Sequence, residues 1–405
     1  MDQGQARDSG GDSRGDSRKP PRPAYSVRQE SNPHNRFEST AVEWDDGVEL
    51  PQTLRIHEET AKSILSANDS PDIPFRYSVN PYRGCAHACA YCFARPTHEY
   101  LGLGAGTDFD TQIYAKVNAA ALLRKKLSLP SWTGEAITFS GVTDCYQPAE
   151  AKLKLTRGCL EVCLDLVNPV SVITKSTLVV RDLDLLTDLN SAAGAAVVMS
   201  VPIMDAAVAR LIEPFAAPPD LRFKALEKLS KAGLPTGISL GPVIPGLTDS
   251  DIPALLSRAK DCGATFAFYV MLRLPGSVKE VFLERVRRLL PEKAGKIEHH
   301  IQETRDGDWY QNKFGERMSG TGKMAELVSQ MFSVHARRLG FGTGERLEGL
   351  EKKLRDRPHN RPQAGMLGQG RAGMPKEKQP EAGRKRPSEK KFSAMGQDMQ
   401  MELGI

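Results

Sequence analysis

The chain has 405 residues, 40% of them hydrophobic, and a net charge of +5, which suits one large or two modest globular domains. No run of residues approaches the roughly 18 apolar residues that a membrane span requires, and no secretory-type signal is recognisable at the start. Seven cysteines in such a chain predict a reduced, cytoplasmic setting, where cysteines serve metal binding or chemistry rather than disulfides.

The two ends of the sequence differ from its middle. Residues 1–42 are rich in Gly, Ser, Asp, Arg and Pro and repeat Gly-Asp-Ser-Arg, which predicts a disordered tail. Residues 346–405 are predicted to be a basic disordered tail, because residues 351–405 carry 13 Lys and Arg against 7 Asp and Glu. The remaining body is therefore nearly neutral, and charge alone does not indicate a nucleic-acid enzyme.

Strand and helix patterns alternate through the middle of the chain. After an ordered preamble at residues 43–74, a core is predicted over residues 75–292. Its strands are predicted at 76–84, 136–140, 171–174, 195–201, 235–240 and 264–271, and its helices at 111–128, 155–167, 181–190, 220–232, 249–262 and 277–290. This order predicts an α/β fold of parallel βαβ units, either a barrel or a doubly wound sheet, with its site at the carboxyl ends of the strands.

Three cysteines follow the first predicted strand in the spacing C-x3-C-x2-C, namely Cys85, Cys89 and Cys92. Close local spacing of cysteine thiolates is typical of iron–sulfur clusters. Three ligands leave one iron of a [4Fe–4S] cube open to chelate a substrate or cofactor. A zinc site is the alternative, but zinc prefers four ligands, a second C-x2-C knuckle is absent, and the loop is too tight for His87 to serve.

The cysteine spacing, with Tyr91 before the third cysteine, resembles the cluster loop of radical S-adenosylmethionine (radical SAM) enzymes. The resemblance implies a partial (β/α)6 TIM-like barrel, with a [4Fe–4S] cluster and S-adenosylmethionine as cofactors. It implies reductive cleavage of S-adenosylmethionine to a 5′-deoxyadenosyl radical that abstracts a hydrogen atom. It further implies a reducing partner such as flavodoxin or ferredoxin.

Residues that would bind S-adenosylmethionine follow from the same resemblance, because they stand at successive predicted strand ends. The candidates are Tyr91, Ser140, Gly141, Thr143, Asp144, Lys175, Ser200, Val243, Ile244 and Gly246. The loop from Ser140 to Asp144 takes the place of the family's loop for the methionine amino group, although an ordinary turn capping a helix is the alternative. Lys175 would meet the carboxylate and Ser200 the ribose, and the segment 243–246 is similar to the family's adenine-supporting shelf.

The remaining cysteines divide into two kinds. Cys145 lies in the loop that faces the expected radical, and its weak S–H bond makes it a candidate hydrogen-atom donor and catalytic residue. A second cluster is the alternative for the four cysteines Cys145, Cys159, Cys163 and Cys262. Cys159 and Cys163 share one helix face, which permits ligation, but their apolar neighbours favour core packing.

Residues 293–345 are predicted to form a substrate-side extension with a helix at Lys323–Leu339. Apolar residues at Met324, Leu327, Met331 and Val334 predict that this helix packs as a lid or an end cap. The neighbouring pair His299 and His300 is compatible with metal binding, but adjacent side chains point in different directions, so surface packing is favoured.

Residues 75–290 most resemble the group that contains spore photoproduct lyase and DNA repair photolyase-like proteins. The cluster motif and the segment from Ser140 to Gln147 carry this resemblance, which implies DNA repair as a use of the radical. Phe93 departs from the pattern, because the lyases have a tyrosine there and a phenyl ring cannot relay a hydrogen atom. The alternatives are modification of RNA, protein or a small molecule, and a non-enzymatic Fe–S electron carrier or sensor.

Overall fold

The computed structural model describes residues 32–33, 35–37 and 53–342, and most of both predicted tails lies outside these residues. The strands are β1 (Arg55–Glu59), β2 (Leu65–Ala67), β3 (Tyr77–Val79), β4 (Tyr82–Arg83), β5 (Gln112–Lys116), β6 (Ile137–Phe139), β7 (Val170–Thr174), β8 (Ala195–Ser200), β9 (Thr236–Val243) and β10 (Phe266–Met271).

Most of the helices follow the strands in alternation. They are α1 (Thr107–Thr111), α2 (Ala119–Leu127), α3 (Glu150–Leu153), α4 (Leu155–Asp165), α5 (Leu183–Ala192), α6 (Ala206–Ile212), α7 (Pro219–Lys231), α8 (Ile252–Asp261), α9 (Val278–Leu289), α10 (Pro291–Glu303) and α11 (Gly322–Arg338). Short 3₁₀ turns lie at Arg95–Thr97, Glu99–Leu101, Thr177–Asp182 and Asp249–Asp251. No helix in the described part of the chain is long and apolar enough to span a membrane.

Strands β3 and β6 to β10 form a parallel sheet in unbroken chain order, with β2 antiparallel at the β3 edge. A doubly wound sheet reverses its strand order at a switch point, and this sheet has no such reversal. With right-handed crossovers, constant order places the helices on one side and curls the sheet. The expected partial (β/α)6 barrel is therefore confirmed.

Alternation along the strands separates the core from the barrel interior. In β7, Val170 and Val172 are fully buried against the helices, whereas Ser171 and Ile173 are only half-buried on the opposite face. The interior face carries hydroxyl groups, since Thr138 and Ser171 hydrogen-bond to each other at 2.7 Å. The lumen is thus polar at the level from which the strand-end loops emerge.

The first predicted helix was wrong at its start, because residues 112–116 form strand β5 before α2 begins. Strand β5 pairs in parallel with β1 and antiparallel with β4 in a second, smaller sheet. Ile113 and Ala115 are buried and their neighbours are half-buried, so the segment has a period of two rather than 3.6. This small sheet supports the cysteine loop, which leaves from β4.

Part of the N-terminal region makes defined contacts although it falls in the predicted tail. The Asn35 amide donates to the carbonyls of Glu99 (3.1 Å) and Leu103 (3.2 Å). Asn32 donates to the Asp108 carboxylate at 3.0 Å. These residues pack on the segment that follows the cysteine loop.

The C-terminal helix α11 forms as predicted but buries a different face. Val328, Phe332 and Ala336 are buried, and the Phe332 ring lies 4.9 Å from the Tyr269 ring of β10. Leu327 and Val334, which were expected to pack, are 50% and 59% exposed. The chain around α11 also hydrogen-bonds along β10, which agrees with the end-cap alternative rather than the lid.

Candidate active site

The cysteine loop, residues 84–95, leaves β4 and turns back on itself at the carboxyl end of β3. The Cys85 N–H donates to the Phe109 carbonyl at 3.0 Å, and the Cys92 N–H donates to the Cys89 carbonyl at 3.2 Å. Ala88 has a φ of 55°, a left-handed conformation that turns the chain between the first two cysteines. The backbone of the loop is therefore held in a tight turn around its three cysteines.

The environment of the three thiols fits an iron–sulfur cluster. All three are free thiols. Cys85 and Cys89 are buried, and Cys92 is partly buried. Cys92 packs against two apolar clusters, one of which contains Cys85 and the other Cys89. Burial raises the pKa of each thiol, that of Cys89 to about 12, and the charges of Cys89 and Cys92 further raise the pKa of Cys85. Metal ligands must be deprotonated, so cluster binding must displace these protons.

A fully buried arginine holds the loop from within. The Arg95 guanidinium donates twice to the Cys89 carbonyl, once each to the carbonyls of Ala105 and Gly106, and once to the Asp110 carboxylate, at 2.8–3.1 Å. Both Arg95 and Asp110 are at most 1% exposed. This set of hydrogen bonds satisfies a charge that would otherwise be costly to bury.

A buried glutamine supports the opposite end of the loop. Gln147 accepts from the Ala86 N–H (3.1 Å) and donates to the Gly84 carbonyl (3.0 Å). Gln147 follows the Ser140–Asp144 loop, so one side chain joins the cysteine loop to the next strand-end loop.

Tyr91 points into a buried ionic network rather than into solvent. Its hydroxyl donates to Glu213, which pairs with Arg222 at 2.5 Å. Arg222 also donates to the Ser200 carbonyl at 2.9 Å. The network therefore connects the cysteine loop with the carboxyl end of β8, where Ser200 was expected to meet the ribose.

Asp144 is the centre of a second set of contacts. Its carboxylate accepts from the Thr174 hydroxyl (2.7 Å), the Lys175 N–H (2.8 Å) and the Tyr146 N–H (2.9 Å), and lies 3.5 Å from His87 Nδ1. Burial alone would raise the pKa of Asp144, but these partners lower it to about 2. Asp144 is thus an anion that joins two strand ends to the cysteine loop.

The other members of the Ser140–Asp144 loop are placed as follows. Ser140 has a φ of 75°, which is costly for a residue with a Cβ, and its hydroxyl accepts from the Cys145 N–H at 2.8 Å. A Cβ on Gly141 would lie 2.9 Å from Ser78, so strand packing alone requires glycine here. The Thr143 hydroxyl donates to the Tyr82 carbonyl at 2.9 Å.

Lys175 lies near the cysteine loop. Its ammonium group is 5.6 Å from the centre of the Tyr91 ring. Its charge lowers the pKa of Glu213 and partly offsets the increase that burial causes in the pKa of Cys89 and of Cys92. The Ser200 hydroxyl donates to the Gly241 carbonyl at 3.3 Å. Both side chains therefore border the same end of the barrel as the three thiols.

The segment that was likened to an adenine shelf is a buried turn after β9. Val243 and Ile244 are at most 1% exposed, and the Ile244 N–H donates to the Thr248 hydroxyl at 2.9 Å. Gly246 has a φ of +79°, and a Cβ there would lie 3.0 Å from the His300 ring. Ile244 shares an apolar cluster with Cys89 and Tyr91, which brings the turn to the cysteine loop.

The remaining cysteines lie in the main core. Cys159 and Cys163 are fully buried among apolar side chains. Cys145 is also fully buried, behind Ser140, and burial raises the pKa of its thiol well above the usual range. Direct contact between Cys145 and a substrate therefore requires a displacement of the Ser140–Asp144 loop.

His299 and His300 lie on the last turns of α10. One ligand atom of each histidine and of Glu303 all lie within 4.8 Å of one another, and His300 Nδ1 is 3.0 Å from the Glu303 carboxylate. The two adjacent rings therefore have ligand atoms near each other, whereas the sequence predicts that they point in different directions.

Sequence reasoning missed the groups that position the loop. Arg95, Gln147, Glu213 and Arg222 had no assigned role, although Arg95 follows the third cysteine directly in the pattern Cys-Phe-Ala-Arg. The link between Tyr91 and Glu213 spans 122 residues of sequence, so no local pattern announces it.

The fold and the three-thiol loop together define a barrel enzyme of the type that holds an Fe–S cluster at a strand end. A family model described as the Radical SAM superfamily matches residues 79–259. An uncharacterised protein of Mycobacterium tuberculosis is 39% identical over 250 residues, which cover 60% of this chain and 74% of that protein. The chain belongs to the radical SAM superfamily, and a [4Fe–4S] cluster and S-adenosylmethionine are its cofactors.

The chain is also similar to a second uncharacterised protein and to solved structures of lower identity. An uncharacterised protein of Methanocaldococcus jannaschii is 32% identical over 202 residues, covering 50% of this chain and 72% of its own. A cysteine-substituted spore photoproduct lyase superposes with a TM-score of 0.50 at 16% identity, over 71% of this chain and 80% of the lyase. A lyase variant with bound AdoMet and dinucleoside spore photoproduct gives 0.50 at 15% identity, over 75% and 86%. At these identities the likeness shows a shared fold.

Proposed function

We propose that this radical SAM enzyme acts on a nucleic acid, with a lesion in DNA as the first candidate substrate. The observation that supports this proposal is a pair of aromatic rings beside cations at the barrel mouth. Trp309 packs against the apolar cluster that contains Cys89 and Tyr91, and Lys279 Nζ lies 5.5 Å from the centre of its ring. A flat base can stack on such a ring while a cation meets the phosphate.

A second ring lies next to the carboxyl end of β10. Arg273 lies two residues after the end of β10, and its guanidinium donates to the Tyr310 hydroxyl at 3.3 Å. Trp309 and Tyr310 are both partly exposed, so part of each ring can contact a ligand. Aromatic and basic side chains in alternation are typical of surfaces that bind single-stranded or unstacked bases.

The cofactors supply a carbon-centred radical that removes a hydrogen atom from the substrate. In the proposed arrangement Cys85, Cys89 and Cys92 ligate the cluster, and the partly buried Lys175 binds the carboxylate of S-adenosylmethionine. Ser140, Gly141 and Asp144 border the amino group, with Thr143 bracing their loop. Ser200 meets the ribose, and Val243, Ile244 and Gly246 support the adenine. This arrangement is supported by Ile244, which shares the apolar cluster of Cys89 and Tyr91, and by Ser200 and Val243, which end β8 and β9.

Cys145 is proposed to return a hydrogen atom to the product radical once the Ser140–Asp144 loop has been displaced. The thiyl radical that this leaves on Sγ takes up an electron from the low-potential reductant and a proton, which restores the thiol. The thiol is protonated because burial raises its pKa, and Ser140 separates it from the mouth. The Cys145→Ala variant should cleave S-adenosylmethionine but release altered products. Unchanged products at full turnover would end this part of the proposal.

A low-potential reductant is also required, and we propose a flavodoxin or ferredoxin in a cytoplasmic setting.

The test uses the anaerobically reconstituted full chain with dithionite and S-adenosylmethionine. Release of 5′-deoxyadenosine is measured with lesion-containing and undamaged oligonucleotides, with RNA and with no substrate. A lesion-dependent increase together with a repaired product supports the proposal. Stimulation by RNA alone favours RNA modification, and release that no nucleic acid changes favours a protein or small molecule.

Matched variants locate the substrate surface. Trp309→Ala should raise the KM for the oligonucleotide about tenfold, since one lost base stack costs about 1–3 kcal/mol. Leu327→Ala, on the exposed face of α11, should leave the KM unchanged. Equal KM values for both variants would contradict the assignment of the surface. Absence of any 5′-deoxyadenosine would favour the electron-carrier alternative.

A further inference from the structure

The connection between α6 and α7 runs along the cysteine loop. The Ala90 N–H donates to the Ile212 carbonyl at 2.9 Å, and the Phe215 N–H donates to the His87 carbonyl at 3.3 Å. Glu213 stands between these two contacts, at the C-terminal end of α6. The two backbone hydrogen bonds therefore hold the Glu213 side chain beside the cluster ligands.

Glu213 is a buried charge with a complete set of partners. It accepts from the Tyr91 hydroxyl and pairs with Arg222, and Glu213 and Arg222 are each 1% exposed. Burial alone would raise the pKa of Glu213, but Arg222 and Lys175 lower it below its usual range. Glu213 is consequently a carboxylate at neutral pH that solvent does not screen.

The charge of Glu213 lies beside the cluster ligands. The Ala90 N–H, one residue after Cys89, donates to the Ile212 carbonyl, and the Tyr91 hydroxyl, one residue before Cys92, donates to Glu213. The reduction potential of an iron–sulfur cluster depends on nearby net charge, hydrogen bonds and solvent exposure. Because reduction adds an electron, a fixed carboxylate beside the cysteine loop opposes it, and the adjacent guanidinium partly offsets that effect.

We propose that Glu213 is a positioning residue that fixes Tyr91 in the cysteine loop and whose charge, balanced by Arg222, sets the reduction potential of the cluster. The proposal requires the [4Fe–4S] cluster of the superfamily and is independent of the substrate proposed above. A failure of the nucleic-acid proposal would therefore leave it intact.

The test is a redox titration of the reconstituted full chain, followed by electron paramagnetic resonance without S-adenosylmethionine. Glu213→Gln keeps the shape and a hydrogen-bond acceptor for Tyr91 but removes the charge. The reduction equilibrium should move at least about tenfold toward the reduced cluster, which is about 59 mV for a one-electron couple. Iron and sulfide are counted in each sample, so that cluster loading is known independently of activity.

A second buried carboxylate, which also contacts a tyrosine and an arginine, serves as the control. Asp182 is fully buried, accepts from the Tyr146 hydroxyl at 3.1 Å and pairs with Arg157 at 2.8 Å. Its charge raises the pKa of Tyr146, Arg157 and Arg181. Asp182→Asn should leave the cluster equilibrium within about threefold of the unmodified protein.

Two further variants separate charge from contact. Tyr91→Phe keeps both charges, and the double variant Glu213→Gln/Arg222→Met removes both. The reduction equilibrium of the cluster in each variant should therefore stay within about threefold of that in the unmodified protein. The double variant also serves if the single glutamine variant does not accumulate, because neutral replacement of a buried pair is often tolerated. A fully loaded Glu213→Gln protein with an unchanged potential would overturn the proposal. A tenfold shift in Tyr91→Phe, in the double variant or in Asp182→Asn would overturn it as well.

Discussion

The cysteine loop and the outer face of the C-terminal extension, residues 291–342, differ in how far their side chains are buried. In the loop, Arg95 is fully buried and makes five hydrogen bonds, and Gln147 and Glu213 reach in from distant parts of the chain. In the extension, Phe314 and Leu327 are 56% and 50% exposed. Changes in the loop should therefore cost stability and cluster binding, whereas changes on the exposed face of the extension should cost little stability.

The largest effect is expected at Arg95. Arg95→Met removes the buried ion pair with the Asp110 carboxylate and the hydrogen bonds to the Cys89, Ala105 and Gly106 carbonyls. Removal of one member of a buried ion pair costs about 3–5 kcal/mol. Urea unfolding of the metal-free protein measures this loss, and iron content after reconstitution should fall with it.

The control for Arg95 is an exposed ion pair. Arg124 pairs with Asp165, and the two side chains are 48% and 57% exposed. Arg124→Met should change the free energy of unfolding by less than about 1 kcal/mol. If Arg95→Met and Arg124→Met had equal effects, the distinction between the two kinds of region would be wrong.

The next largest effect concerns Asp144. Its pKa of about 2 lies below the ordinary 3.8, so ionised Asp144 stabilises the folded state above pH 4, and this contribution is lost as the pH falls toward 2. Asp144→Asn should lower the free energy of unfolding by about 2 kcal/mol at pH 7. Unfolding measured from pH 7 to pH 3 should show the difference shrinking below pH 4, and a constant difference would refute this origin.

A smaller effect is expected at Ser140, where the φ of 75° and the hydrogen bond to Cys145 act in opposite directions. Ser140→Ala loses the hydrogen bond and keeps the unfavourable backbone, whereas Ser140→Gly loses the bond but relieves the backbone. The glycine variant should therefore be more stable than the alanine variant by about 1 kcal/mol. Thermal unfolding of the pair decides this, and equal stability would show that the left-handed backbone costs nothing.

The smallest effect is expected on the outer face of α11. Leu327→Ala should change the free energy of unfolding by less than about 0.5 kcal/mol, because the side chain is half exposed. Val328→Ala, one residue further, should cost about 2 kcal/mol because Val328 is fully buried in the main core. If Leu327→Ala cost more stability than Val328→Ala, the buried face of α11 would be the one that the sequence predicts.

The sequence alone determined the features that repeat locally. The strand order and the helices that follow were legible because apolar residues recur with periods of 2 and 3.6, and the three cysteines lie within eight residues of one another, from Cys85 to Cys92. The barrel and both cofactors followed from this cysteine spacing through its family resemblance. Strand β5 was missed because its alternation is short and continues directly into α2.

Tertiary structure decided the groups that position the site. Burial of Arg95 is possible only because Asp110 and three carbonyls converge on it, and Tyr91 meets Glu213 only because α6 ends beside the cysteine loop. The buried face of α11 likewise depends on its neighbours α8, α10 and β10, since Leu327 and Val328 are equally apolar in sequence. Local patterns specify which elements form, whereas charge pairing and burial across long sequence separations specify how the site is held.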